Sequence, residues 1–316
     1  MGVLYLLSEG SAASKSGPRI AVEKDGCVIG RLPIRSIDGV VVGKNAQVST
    51  QIIFELVEQN IPIFYIDERG KIIAHFCNEK QSANRLLRQL EIFSDSVKQV
   101  ELSQEIVAEK IWNQYQLVRQ YAKSKSGEKL SNAIQKLKKQ SEKVKNLKTV
   151  EEIRGAEGLA AKNYFSAFPE IIDQNRWKWK GRSQHPAKDP LNALLNYGYA
   201  FLEREVRVAA AISGMDARFG FFHSNDGRKD SLIYDLMELF RQPVIDRLIL
   251  NLVNRKMIQP ENFVTTKEDC RLEFEALRTW CTRYEEHMAR NYQEYEGNLR
   301  DMITARVKEF STHINR

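Results

Sequence analysis

The stretch Ile61–Phe93, IPIFYIDERGKIIAHFCNEKQSANRLLRQLEIF, changes its hydrophobic period part-way along and so decides the fold. Ile61–Ile66 and Lys71–Phe76 are short runs rich in isoleucine and aromatic residues. Asp67-Glu68-Arg69-Gly70 between them has the composition of a hairpin turn. From about Lys80 the pattern becomes helical, with Leu86, Leu87, Leu90, Ile92 and Phe93 forming an apolar stripe. Upstream, Val3–Leu7, Arg19–Val22, Cys27–Ile34 and Gly39–Val42 read as further strands separated by Gly, Pro, Asp and Asn. One helix is predicted among them, capped by Ser49 or Thr50 and running through IIFELVEQN to about Asn60.

Downstream the helical period persists. A long helix is predicted over about Val100–Ala122 and is broken by Ser124–Gly127. Lys129–Lys148 follows, with Ile134, Leu137, Val144 and Leu147 as a thin apolar side. Thr149-Val-Glu-Glu152 is a capping box that starts another helix. Asn175–Lys188 reads as a loop, after which Asp189-Pro190 opens a strongly apolar helix to about Ser213. Helices are also predicted over about Asp230–Arg255, kinked or split at Pro243, and over Lys267–His313. The fold class is therefore α+β: a β-rich N-terminal domain, residues 1–79, and a larger all-α domain, residues 80–316.

A chain of 316 residues fits two domains, and 42% hydrophobic with 28% charged residues is an ordinary globular composition. The net charge of +7 suits a polyanionic partner. Cys27, Cys77, Cys270 and Cys281 form no C-x-x-C pair, which argues against a zinc ribbon or disulfide framework and suits a reducing compartment. MGVLYLLSEGS has no basic start and too short an apolar run for a signal peptide, and no stretch reaches membrane-spanning length. A cytoplasmic protein without membrane contact is expected.

Three segments offer metal-friendly side chains: RGAEG at Glu157, FGFFHSN at His223, and SLIYDLMELFR at Asp235 and Glu238. Glu157 shares a helical face with Ile153, Ala160 and Tyr164. A carboxylate there needs a cation, a donor or a proton. A salt bridge to Arg154 or a surface lysine would satisfy it, and so would a metal. Gly155 and Gly158 each sacrifice roughly 1 kcal/mol of helix propensity and leave this carboxylate open to close approach. Asp235 and Glu238 are neighbours on one helix and repel unless a cation lies near. Arg228, Lys229 or Arg241 could pair with them on a solvated face, yet Leu232, Ile233, Leu236, Met237, Leu239 and Phe240 leave little of that helix for water. His223 is either a satisfied structural histidine or a ligand and general base.

Two basic segments suit nucleic acid: the lysines 136, 138, 139, 143, 145 and 148, and Arg176-Trp-Lys-Trp-Lys-Gly-Arg182. In the second, cations can meet phosphates while indoles stack on bases, or the tryptophans can anchor the loop to the core. No nucleophile elbow, P-loop or dinucleotide fingerprint is present. The residues alone leave open a metal-dependent nuclease without integration activity and a non-catalytic basic nucleic-acid-binding protein.

In order along the chain, RGAEG, Lys180–Glu203 (KGRSQHPAKDPLNALLNYGYAFLE), GFFHS and Ser231–Asp246 (SLIYDLMELFRQPVID) resemble the CRISPR-associated endonuclease and spacer-integrase family, the larger protein of the CRISPR adaptation pair. The resemblance runs nearly end to end. It implies that Glu157, His223 and Glu238 are catalytic and bind Mg2+ or Mn2+, with Asp235 assisting the metal site or holding a basic partner. It implies double-stranded DNA, both spacer precursor and CRISPR repeat, as substrate, joined by 3′-hydroxyl attack on a phosphodiester at the repeat ends. Arg176, Lys178, Lys180, Arg182, Asn196 and Tyr197 are the expected DNA contacts. The resemblance also implies a homodimer through residues 1–79, catalysis in residues 80–316, and a complex with the smaller adaptation protein.

Overall fold

The computed structural model describes the chain except residues 1, 69, 77–82, 184–185, 224–229, 267–268, 294–296 and 315–316. Cys77, Arg228, Lys229, the turn Ser224–Gly227 and the predicted boundary at residues 79 and 80 lie outside the described residues. Two compact units form: Met1–Gln81 with Ala211–Gly214, and Ser82–Ala210 with Met215–Arg316.

The first unit is strand-rich. β1 (Gly2–Leu6), β5 (Ile37–Gly43) and β7 (Ile63–Ile66) run parallel, and β8 (Ile72–Phe76) closes the sheet antiparallel to β7 in the order β1-β5-β7-β8. The Val40-Val41-Val42 run is buried throughout, as a central parallel strand requires. A second sheet has the order β4-β3-β2-β6, from β2 (Ser11–Ser16), β3 (Arg19–Lys24), β4 (Cys27–Pro33) and β6 (Gln47–Val48). Helix α1 (Thr50–Glu58) begins with Ser49 at the N-cap position, but the Ser49 hydroxyl makes no cap hydrogen bond. Ile52 and Leu56 of α1 pack with Ile20, Val40 and Ile63 in the core.

The second unit is helical: α2 (Ala83–Ser94), α3 (Ser96–Tyr121), α4 (Glu128–Lys143), α5 (Val150–Ser166), α6 (Phe168–Ile171), α7 (Gln174–Trp177), α8 (Pro190–Ile212), α9 (Ser231–Met237), α10 (Arg247–Asn254), α11 (Phe274–Ala289) and α12 (Leu299–Ile314). The strand-rich start and helical remainder make the fold α+β, as the sequence predicts. Asp95 caps α3 by accepting from the N–H groups of Val97 and Lys98. Thr149 and Glu152 form the expected capping box on α5. The predicted helix over Lys267–His313 is corrected. A hairpin of β9 (Phe263–Thr265) and β10 (Cys270–Leu272) precedes α11, and the helical part is two separate helices. α8 is buried along most of its length. Gly198 lies so close to Ile245 that a Cβ there would collide with it.

Pro243 lacks an amide hydrogen and falls within a π-helical segment, Arg241–Asp246, that separates α9 from α10. His287 of α11 secures this break: its Nε2–H donates to the Val244 carbonyl at 2.9 Å, and Nδ1 accepts from the Tyr292 hydroxyl at 2.6 Å. Burial, aided by the charges of Arg247 and Arg290, pulls the His287 pKa down to about 4. A base whose folded pKa is depressed lends stability above its ordinary pKa, and that stability drains away as pH falls from 6.5 towards 4. The total is on the order of 3 kcal/mol. His287→Gln is expected to flatten the fall in urea midpoint between pH 7 and pH 5; an equally steep fall in the variant would show that His287 is not its source. Among the described residues, no helix is long and apolar enough to cross a membrane.

Candidate active site

Lys110 organises the site. It lies on α3 among Ile106, Val107, Ile111 and Gln114, all buried. Its ammonium donates to Glu157 Oε1 on α5 and lies 2.6 Å from Glu238 Oε2 at the C-terminal cap of α9. Burial opposes the charge on Lys110, but Glu238 and Glu157 outweigh it and hold the pKa above the ordinary lysine range. Arg241 donates through Nε to the same Glu238 oxygen at 3.1 Å. Burial pushes the Glu238 carboxyl up; Arg241, Lys110 and His223 more than reverse this and hold it at about 2. Glu238 is therefore a buried, permanently ionised group at neutral pH, within electrostatic reach of His223.

Asp235, with no exposed surface, builds the loop that carries His223. Its Oδ2 accepts from the N–H groups of Phe221 (2.8 Å) and Phe222 (3.1 Å). Its Oδ1 accepts from the His223 N–H at 2.9 Å and lies 2.6 Å from the His223 Nδ1. Both oxygens of Asp235 are thus spent on the loop and the ring, which places it behind the imidazole and leaves Nε2 as the ring's second donor atom. Arg154 is turned to the same loop, where it donates to the Phe222 carbonyl, and it is not the partner of Glu157. The solvated acidic face that could have explained Asp235 and Glu238 does not form, since both are buried. Gly155 and Gly158 are exposed, and a Cβ on either would meet nothing within 4 Å, so the flank of Glu157 is open.

A second layer went unread in the sequence. Asp246 accepts from the hydroxyls of Tyr164 and Tyr199, both at 2.8 Å. Burial lifts the Asp246 carboxyl to about 6, and the two phenol hydrogen bonds restrain the rise. The Arg241 guanidinium sits 4.5 Å from the centre of the Tyr199 ring, so it is held between Glu238 and that phenol. The available signal was Asp246, a carboxylate that directly follows the apolar pair Val244-Ile245 and precedes the apolar run Leu248-Ile249-Leu250.

The basic loop divides. Trp177 and Trp179 are 3% and 4% exposed and pack against Phe263 and against Phe165 and Phe168. The expectation that these indoles stack on bases is corrected: they anchor the loop to the core. Arg176, Lys178 and Lys180 are exposed, Arg176 being paired with Glu261 at 2.9 Å. Arg182 turns inward to Asn192 Oδ1 at 2.9 Å and Asn196 Oδ1 at 2.7 Å, and Asn196 and Tyr197 are buried in α8. The six lysines from Lys136 to Lys148 are all exposed.

Among the described residues, no three His, Cys, Asp or Glu side chains close together tightly enough to hold an ion; the Lys110 ammonium lies between the two glutamates. The donor types nonetheless suit a hard divalent cation: two carboxylates and an imidazole whose other nitrogen is fixed by a carboxylate.

The fold and this centre define a mixed α+β protein whose helical unit carries a carboxylate–imidazole site. Residues 4–286 match the family model described as CRISPR associated protein Cas1, and the chain belongs to that family. A CRISPR-associated endonuclease Cas1 of Moorella thermoacetica is 31% identical over 272 residues, 84% of this chain and 79% of that protein. The solved Cas1 protein of Thermotoga maritima has a TM-score of 0.85 at 23% identity, covering 100% of this chain and 97% of that one. A casposase bound to integration product has a TM-score of 0.83 at 22% identity, covering 99% and 90%. Both structures share the fold.

Proposed function

We propose that the chain is a divalent-metal-dependent DNA endonuclease and integrase that inserts short DNA fragments into a CRISPR array by 3′-hydroxyl attack at the repeat ends. Family membership and the endonuclease name of the 31% identical relative support the class of reaction. The observation that carries the site assignment is the convergence of Glu157 and Glu238 on one cation, with the Asp235-held imidazole of His223 acting on Glu238.

Glu157, Glu238 and the Nε2 of His223 would hold Mg2+ or Mn2+, which when bound supplies charge stabilisation at a scissile phosphoryl oxygen. Asp235 accepts from Nδ1–H and so fixes the tautomer that frees Nε2. Arg241 keeps Glu238 ionised. Water and a sugar hydroxyl are equivalent nucleophiles at such a centre, so one site can cut and join. Lys178, Lys180 and the exposed lysines of residues 136–148 would follow the DNA backbone without reading sequence. Arg176 can join them by leaving Glu261, whereas Arg182, Asn196 and Tyr197 would shape the loop from behind.

The test is joining of a labelled duplex into supercoiled repeat DNA with Mg2+ or Mn2+. Glu157→Ala is expected to lose at least about a hundredfold in rate, with DNA affinity unchanged at equal salt. Joining within severalfold of wild type would refute the metal centre. A wild-type protein that cuts and never joins would leave a nuclease without integration activity.

We further propose a homodimer through the strand-rich unit, a complex with the smaller adaptation protein, and action in the cytoplasm on chromosomal DNA. Edge strands β4 and β8 expose Ile29, Leu32, Ile73 and Phe76, apolar surface suited to burial in a second copy. Sedimentation equilibrium is expected to give a dimer mass for wild type and a lower mass for Ile29→Lys with Ile73→Lys. A wild-type monomer at micromolar concentration would sink this assembly.

A further inference from the structure

We propose that Lys110 is the resident counter-ion of the two-glutamate site and competes there with the divalent ion, so that it sets how tightly the protein holds metal. The inference rests on the metal-centre reading above and deepens it. Three observations carry it. The Lys110 side chain is 8% exposed, so its ammonium is held largely out of water beside the glutamates. It contacts one oxygen of each glutamate, Glu157 Oε1 and Glu238 Oε2, which are side chains from different elements. And the donors do not close into an ion-holding cluster while it sits there.

The physical consequence is direct. Two carboxylates that meet at one point repel, and without a cation between them the metal-free site would spread. Lys110 removes that repulsion and keeps the two carboxylates together. The same charge repels an incoming divalent ion a few ångströms away, at a position little screened by water. Metal entry must therefore displace the ammonium from at least one carboxylate oxygen. Arg241 cannot take its place, because it reaches Glu238 and is held against the Tyr199 ring. The arrangement gives a folded metal-free protein and an affinity weaker than the bare donor set would provide.

Mn2+ titration of the full-length protein, followed by electron paramagnetic resonance of free Mn2+, tests this with wild type, Lys110→Met, Lys110→Gln, Lys110→Arg and Glu157→Gln. Circular dichroism checks each variant for folding, and Gln serves should Met not fold. Removing the charge is expected to tighten Mn2+ binding by roughly tenfold or more, while Lys110→Arg stays near wild type. In EDTA the uncharged variant should melt below wild type, and Mn2+ should close that gap. If wild type binds Mn2+ and Glu157→Gln does not, yet the uncharged variants bind equally or more weakly, Lys110 is a positioning residue and the competition is disproved with the metal centre intact. If no Mn2+ binds to wild type or to the uncharged variants, or if Glu157→Gln binds as wild type does, the metal centre itself fails and the competition with it.

Discussion

Glu238→Ala is expected to abolish joining and to destabilise the protein by about 3–5 kcal/mol, the range for breaking a buried ion pair by removing one partner. The size follows from what the change leaves behind. Glu238 receives both Lys110 and Arg241, and all three are well removed from water. Truncation takes a carboxylate from two cations in a low-dielectric site and strands one of them: Lys110 retains Glu157, but among the described residues Arg241 keeps only the face of Tyr199 and more distant charges. Glu157→Ala makes the contrasting case. Glu157 is 24% exposed and touches only Lys110 among these cations, which keeps Glu238, so the stability cost should be about 1 kcal/mol or less. Urea unfolding in EDTA checks the pair of variants. A loss below about 1 kcal/mol for Glu238→Ala would mean that Lys110 and Arg241 find other partners. Equal losses for the two variants would mean that the site relaxes as a unit. Either result breaks the assignment of Glu238 as the anchor of the cationic cluster.

The sequence announces this site unevenly, for reasons that lie in its side chains. The switch from strand to helix after residue 76 is legible because β7 and β8 are dense in isoleucine and aromatics, whereas α2 repeats leucines at helical spacing. Pro243 and the Thr149–Glu152 box act through local backbone chemistry, so their effects can be read without the fold. β2 is Ser-Ala-Ala-Ser-Lys-Ser and has no large apolar residue, so its place in a sheet is set by the partners β3 and β6. The β9–β10 hairpin is likewise tertiary: three-residue strands carry too little pattern to outweigh the helical charge spacing around them. Glu157, His223, Asp235 and Glu238 attract notice as charged or titratable groups amid apolar residues. Lys110 carries the same signal, since Ile106, Val107, Ile111 and Gln114 share its buried face, but a lysine on a long mixed helix passes for a solvated residue. Its partners come from segments about 50 and 130 residues away, and only the folded packing of α3, α5 and α9 assembles them. The tryptophans misled for the opposite reason. Alternation with lysine suggested an exposed stacking surface, yet the same alternation puts both indoles inward and both lysines outward.

Asp235→Ala is expected to be as damaging to the reaction as loss of His223 itself, although Asp235 has no surface open to DNA. One carboxylate satisfies three successive backbone N–H groups and fixes the imidazole. Truncation leaves those buried donors unmet at about 1–3 kcal/mol each, less whatever water repairs, so the loop should open before the helical unit unfolds. Asp235→Asn retains one acceptor oxygen and presents an amide to the others; it should fold better and still misorient the ring. Gly220 supplies an independent route to the same failure. A Cβ at this position would lie 2.5 Å from Asp235 Oδ2 and 2.8 Å from Ser231 Cβ, so Gly220→Ala must push the carboxylate off the loop without changing any ionisable group. Both variants are therefore expected to lose joining by a hundredfold or more and to weaken Mn2+ binding in step with His223→Ala, while the salt dependence of DNA binding stays as in wild type. Hydrogen exchange at the amides of Phe221, Phe222 and His223 should quicken in both. Slow exchange there together with normal Mn2+ affinity in Gly220→Ala would mean that the loop holds its shape without Asp235, and the positioning role would have to be given up.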